Sequence, residues 1–216
     1  MKIKSHLIRL SILFLGFLAM SLGVVIIVKA DIGNMPWDVL HQGLAYLTGL
    51  SFGQVSIIVG YSILALGCLF KIYPGPGTVA NIMSLGIMID FIKPHIPPAQ
   101  NFMVGLIMNI IGSIIIGLGV ALYLKAKYGA GARDSLLMGL VMKTKKSFSV
   151  IRPIVEGTVL VIGIILGGNF GVGTFISLFI IGIFVDIFFK WLKFDPKREK
   201  QITFLDLLPK KKQYSN

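Results

Sequence analysis

The sequence predicts an all-α membrane protein: six transmembrane helices arranged as two inverted three-helix repeats, each with a short interrupted or re-entrant helix. Three observations predict it. Of 216 residues, 55% are hydrophobic and 14% charged, with a mean hydropathy of +0.86, which leaves too little polar surface for a chain dissolved in water. Several apolar runs approach or exceed the roughly 18 to 20 residues that cross a hydrocarbon core as helix. The chain also matches itself at a fixed offset of 96 positions.

That offset aligns residues 22–90 with 118–186 without an insertion, giving 23 identities in 69 pairs. Leu22-Gly23-Val24 falls on Leu118-Gly119-Val120, Lys29-Ala30 on Lys125-Ala126, Gly33 on Gly129 and Asp38 on Asp134. Further along, Ser51-Phe52 meets Ser147-Phe148, Gly75-x-Gly77-Thr78 meets Gly171-x-Gly173-Thr174, and Asp90 meets Asp186. Shared richness in Gly, Ile and Leu does not account for matched aspartates and lysines.

Each repeat reads as a long span, a short glycine-interrupted segment and two more spans. Repeat 1, about 7–96, has spans at 7–28, 53–71 and 77–93, with a short segment at 37–50. Repeat 2, about 102–193, has spans at 102–124, 149–167 and 173–192, with a short segment at 133–146. The short segments reach only about 21 Å as helix and are read as interfacial or re-entrant half-helices rather than crossings. The first span imitates a signal peptide, but it is long for one and has an internal counterpart, so it is read as a membrane helix. Residues 1–193 thus form a single membrane domain, and 194–216 a basic cytoplasmic tail, read as solvated rather than lipid-bound.

Charge fixes the orientation. Three crossings per repeat force the second repeat to be inverted, and the positive-inside rule tests this separately. With the N-terminus in the cytoplasm, 19 of the 21 Lys and Arg lie inside, among them Lys2, Lys4, Arg9, Lys71 and Lys125, and only Lys29 and Lys93 lie outside. Both termini are therefore expected on the inner face of a bacterial cytoplasmic membrane. The net charge of +12 is explained by orientation and not by nucleic-acid binding, because the basic residues flank apolar runs.

The breaks before the short segments are the candidate binding elements: Gly33, Asn34, Trp37 and Asp38 in one half, and Gly129, Gly131, Arg133 and Asp134 in the other. A glycine break before a half-helix frees backbone N–H groups and a positive dipole end, which suits an anionic group. Asp38 and Asp134 read first as caps on their own half-helices, and second as carriers of a substrate cation or proton. Asp90 and Asp186 sit near span ends, where Lys93 and Lys190 are the expected partners. Glu156, one turn after Arg152, reads as half of an ion pair and as a weak candidate for coupling, since Gly60 stands at its equivalent position.

Gly163 and Gly167 have the Gly-x-x-x-Gly spacing of close helix contacts, and the Gly-x-Gly-Thr elements read as tight turns with a helix-starting threonine. Cys68 stands alone, and His6, His41 and His95 are scattered, so no disulfide, metal cluster or cofactor is expected. With no nucleophile elbow, Walker motif or zinc motif, enzyme chemistry has no foothold.

The stretches Pro36-Trp37-Asp38-Val39-Leu40-His41-x-Gly43-Leu44 and Gly131-Ala132-Arg133-Asp134-Ser135-Leu136 resemble the YczE/YyaS/YitT family of bacterial integral membrane proteins. The likeness runs over most of residues 8–193 and implies a multi-pass bacterial membrane protein, with some relatives placed among exporters and no residue roles to carry over. Inverted repeats with interrupted helices are the pattern of many secondary transporters, so a small transporter or exporter of a small-molecule substrate is the expected function. The reading from another class is an accessory protein that docks a partner enzyme on its basic 125–149 segment. Either accommodates a homo-oligomer.

Overall fold

The computed structural model describes residues 2–70, 73–129, 131–146, 148–195, 199 and 201–207. Lys71, Ala130, Ser147 and the last nine residues lie outside these, as do the side chains of Lys2, Lys4 and Asp134. Among the described residues there is no strand.

Eight helices of more than ten residues run in order: α1 (Lys2–Ala30), α2 (Pro36–Thr48), α3 (Phe52–Leu69), α4 (Pro76–Ile92), α5 (Phe102–Ala126), α6 (Ala132–Thr144), α7 (Phe148–Ile165) and α8 (Val172–Trp191). A 3-10 turn, Lys93–His95, follows α4, and a single turn, α9 (Phe204–Leu207), lies in the tail. Four stretches are long and apolar enough to cross a bilayer: His6–Ala30, Phe52–Leu69, Phe102–Ala126 and Val172–Trp191. The 17-residue α4 and the 18-residue α7, both expected as crossings, are not among the four.

The helix ends follow local chemistry. Ser51 and Gln54 form a reciprocal capping box at the start of α3, and Asn101 accepts the Val104 N–H at 3.0 Å at the start of α5. At α4 and α8, Thr78 and Thr174 reach back to accept the N–H groups of Gly75 and Gly171 at 3.2 and 3.3 Å. The two halves bend alike at the breaks: Asp31 and Lys127 have φ of 56° and 63°, Gly33 and Gly129 of 118° and 127°, and Gly49 and Lys145 of 72° and 57°. Only glycine adopts φ near 120° without a Cβ clash, which explains Gly33 and Gly129.

Helices α1 and α5 form the central pair, joined by glycines. A Cβ on Gly16 would meet the Gly119 carbonyl oxygen at 3.0 Å, and one on Gly23 would meet that of Gly112 at 2.6 Å. Early residues of α1 therefore lie beside late residues of α5, and the seam lets the two backbones touch. Around it, α4 packs on α1 and α8 on α5, while α2 packs on α7 and α6 on α3. Each break is covered by the other half: Gly173 N–H donates to Ile32 O at 2.8 Å, and Gly77 N–H donates to Tyr128 O at 2.7 Å.

Three expectations change. Gly163 packs α7 on the Val39–Leu40 backbone of α2, but Gly167 is no part of that helix interface; at φ 83° it ends α7, with Gly168 N–H bonded to Gly163 O at 2.9 Å. Asp90 is held by Ser51 Oγ and by the Gly53 N–H at 2.8 Å rather than by Lys93, whose ammonium lies over the Phe52 ring. The described tail is not free in solvent. Ile202 N–H donates to Lys127 O at 3.1 Å, Phe204 N–H donates to Pro74 O at 2.9 Å, and Gln201 bridges Leu124 O and the Gly129 N–H.

Candidate functional site

The N-terminal turns of α2 and α6 meet beside α3 and α7. Trp37, Ala132 and Leu136 share one buried cluster with Ile63 of α3, Ile82 of α4 and Val159 of α7. Pro36 opens α2, where its missing N–H leaves no bond unmade. Trp37 and Arg133, which occupy the same place in the two repeats, stack on each other with the guanidinium carbon 4.9 Å from the ring centroid.

Asp38 sits in the first turn of α2 and is 3% exposed. It does not cap that helix, because the cap position is Met35 and carries no side-chain bond. Its Oδ1 lies 3.9 Å from an Arg133 nitrogen and 3.4 Å from His41 Nδ1. Its Oδ2 has no hydrogen-bond partner, and neither does His41 Nδ1, although both are buried. Buried polar atoms without partners are uncommon in native proteins and cost about 1 to 3 kcal/mol each, so two side by side mark a place built for something other than stability.

Of the sequence candidates, the structure brings together Trp37, Asp38 and Arg133. Asn34 is fully buried one step away: its amide donates to Gln42 Oε1 at 2.6 Å and its backbone N–H to Asn169 O at 3.0 Å, while its own Oδ1 is unpartnered. Gly33 and Gly129 lie further out, packed on the starts of α8 and α4, where a Cβ would strike Thr174 Oγ1 at 2.8 Å and Thr78 Oγ1 at 2.7 Å. Gly131 is the cap residue of α6, its N–H facing the Tyr123 hydroxyl at 3.3 Å. The Asp134 side chain is outside the described residues. Glu156 pairs with Arg152 at 2.9 Å, as their four-residue spacing predicts.

His41 is the residue the sequence reading passed over. It stands one turn after Trp37 and three residues after Asp38, packs edge-on to the Phe52 ring at 5.7 Å, and is 2% exposed. The i, i+3 spacing from a buried acid was the available signal. Neither of the two best-formed cavities touches it or Asp38. One is a small void between Ile63, Thr78 and Ala132, and the other a cleft of about 280 Å³ beside Asp31 and Phe102. Among the described residues no group of His, Cys, Asp and Glu is arranged to hold a metal ion.

The signature of DUF6198, a family of unknown function, matches residues 7–190. An uncharacterized membrane protein of Bacillus subtilis (strain 168), YczE, is 33% identical over 178 residues, covering 82% of this chain and 83% of that protein. An uncharacterized protein of Haemophilus influenzae is 31% identical over 179 residues, covering 83% of this chain and 82% of its own. Another from Bacillus subtilis, YyaS, is 28% identical over 180 residues, covering 81% and 89%. No solved structure matches.

Proposed function

Since the chain belongs to DUF6198, the family of YczE and YyaS and one without an assigned function, we propose its role from its own geometry: a small secondary transporter or exporter of the bacterial cytoplasmic membrane. In this reading the chain crosses six times as two inverted repeats with both termini inside, and α2 and α6 are re-entrant half-helices. The reciprocal covering of the two breaks and the head-to-tail glycine seam of α1 and α5 support inversion. The excess of basic residues on one side supports the orientation.

One observation carries the reading. Trp37, Asp38 and Arg133 lie together where the N-terminal turns of α2 and α6 meet, an arrangement in which backbone dipoles, a partly exposed cation and a buried acid converge. A buried carboxylate is costly, and binding a polar solute beside it is the role that offsets the cost. The packed site corresponds to an occluded state, and access comes from movement of one half against the other.

The test is uptake into proteoliposomes of a radiolabelled panel of amino acids, organic cations and organic anions. Asp38→Asn and Arg133→Gln are expected to lower flux of the transported solute at least tenfold while the protein elutes as a folded species. Flux that survives both changes would remove the site. Absence of any flux, with a stoichiometric protein partner recovered in a pull-down and lost on neutralising the exposed Lys145 and Lys146, would favour the docking role instead.

A further inference from the structure

We propose that Asp38 and His41 form a proton-binding pair at the meeting point of α2 and α6, so that the proton is the ion this site takes. The proposal deepens the carrier reading by naming an ion, and rests on it only for the word carrier.

The chemistry follows from what each atom lacks. Asp38 Oδ1 and His41 Nδ1 face each other at 3.4 Å, too long for a formed hydrogen bond, and Nδ1 has no other partner. When Nδ1 carries a lone pair, two acceptors oppose each other in a buried site. One proton added to Nδ1 turns this into a donor facing a carboxylate, which shortens the contact to Oδ1 and gives Nδ1 a partner, while Oδ2 stays without one. The proton comes from water and no bond between heavy atoms is made or broken. Neither the void beside Ile63 and Ala132 nor the cleft beside Asp31 is lined by Asp38 or His41.

Arg133 sets the balance. At 3.9 Å from the same carboxylate oxygen, and stacked on Trp37, it competes with His41 for Asp38. A solute that draws Arg133 away leaves Asp38 to His41 and favours proton uptake, whereas a solute cation seated on Asp38 favours proton release. The other elements around His41 present few charges. The Phe52 ring of α3 packs edge-on to its ring, Lys93 lies over that same Phe52 ring and Asp90 accepts from the Gly53 N–H; α7 meets α2 through Gly163, and its Arg152 and Glu156 are paired with each other. The Asp134 side chain lies outside the described residues.

The chain has two tryptophans, so Trp191→Phe leaves Trp37 as the sole emitter, one turn from His41. In purified protein, its emission between pH 4.5 and 9 is expected to show one single-proton step. The step is lost in His41→Gln, and falls by about one pH unit or more in Asp38→Asn, because the carboxylate favours the protonated imidazole. Carbon-13 histidine NMR of His6→Gln/His95→Gln, where His41 is the only histidine left, reads the same event without altering the pair. An unchanged step in His41→Gln, an imidazole that does not titrate, or a step that follows sodium concentration at fixed pH would each overturn the pair. Titration without solute flux would keep the pair and remove the transporter; flux without titration would do the reverse.

Discussion

Asp90 and Asp186 hold equivalent positions in the two repeats, yet their surroundings differ. Asp90 accepts from Ser51 Oγ and from the buried Gly53 N–H, whereas Asp186 is exposed and Gly182 before it has nothing within 4 Å. Replacing Asp90 by alanine strands the Gly53 N–H at the start of α3, and should cost about 2 to 3 kcal/mol, the range for hydrogen bonds to a charged group. Asp186→Ala should change stability by no more than about 0.5 kcal/mol, as for most exposed sites. Denaturation midpoints in one detergent would compare the two. The sequence alignment shows the match between the acids but not this difference, because what holds Asp90 is a neighbour's helix start rather than a nearby lysine. His41 was legible only as a spacing. Its i, i+3 distance from Asp38 is in the sequence, but whether the two side chains are buried and turn toward each other is not.

At the scale of elements, the helices follow the apolar pattern and the repeat closely, and the short segments are helices of 13 residues each. Glycine breaks, prolines at helix starts and the Ser51–Gln54 box make these ends readable in the chain. Some turns leave no such trace. Asp31, Lys127 and Lys145 take positive φ without being glycine, held there by the helix ends they terminate. The glycines of the helix surfaces divide by what they touch. Gly23→Leu would drive α1 from α5 and is expected to prevent recovery of folded protein, since a Cβ already meets Ile116 Cγ1 at 2.6 Å. Gly157→Ala in α7, with open space around it, is expected to be neutral or to stabilise by up to about 1 kcal/mol. Yield and elution profile would separate the two outcomes.

For the whole molecule, the proposed orientation in the membrane makes a direct prediction. In a Cys68→Ser background, cysteines at Leu50 and Lys146, both exposed, should label from opposite sides of intact cells, with Leu50 reached from outside. Labelling of both from one side would end the inverted reading. The tail shows the limit of reading by composition. A run of lysines looks solvated, but Gln201 and Ile202 are fixed by amide and backbone bonds to the second break and Phe204 by its N–H to Pro74 ahead of α4, contacts that no charge pattern encodes.

The mutual covering of the breaks also bears on how such a chain assembles. Severed in the connection between α4 and α5, it would give two fragments that each carry a bent break whose shield belongs to the other. Neither should persist by itself in the cell, and the pair made together should co-purify at one to one, restoring by association what the intact polypeptide obtains by covalent linkage.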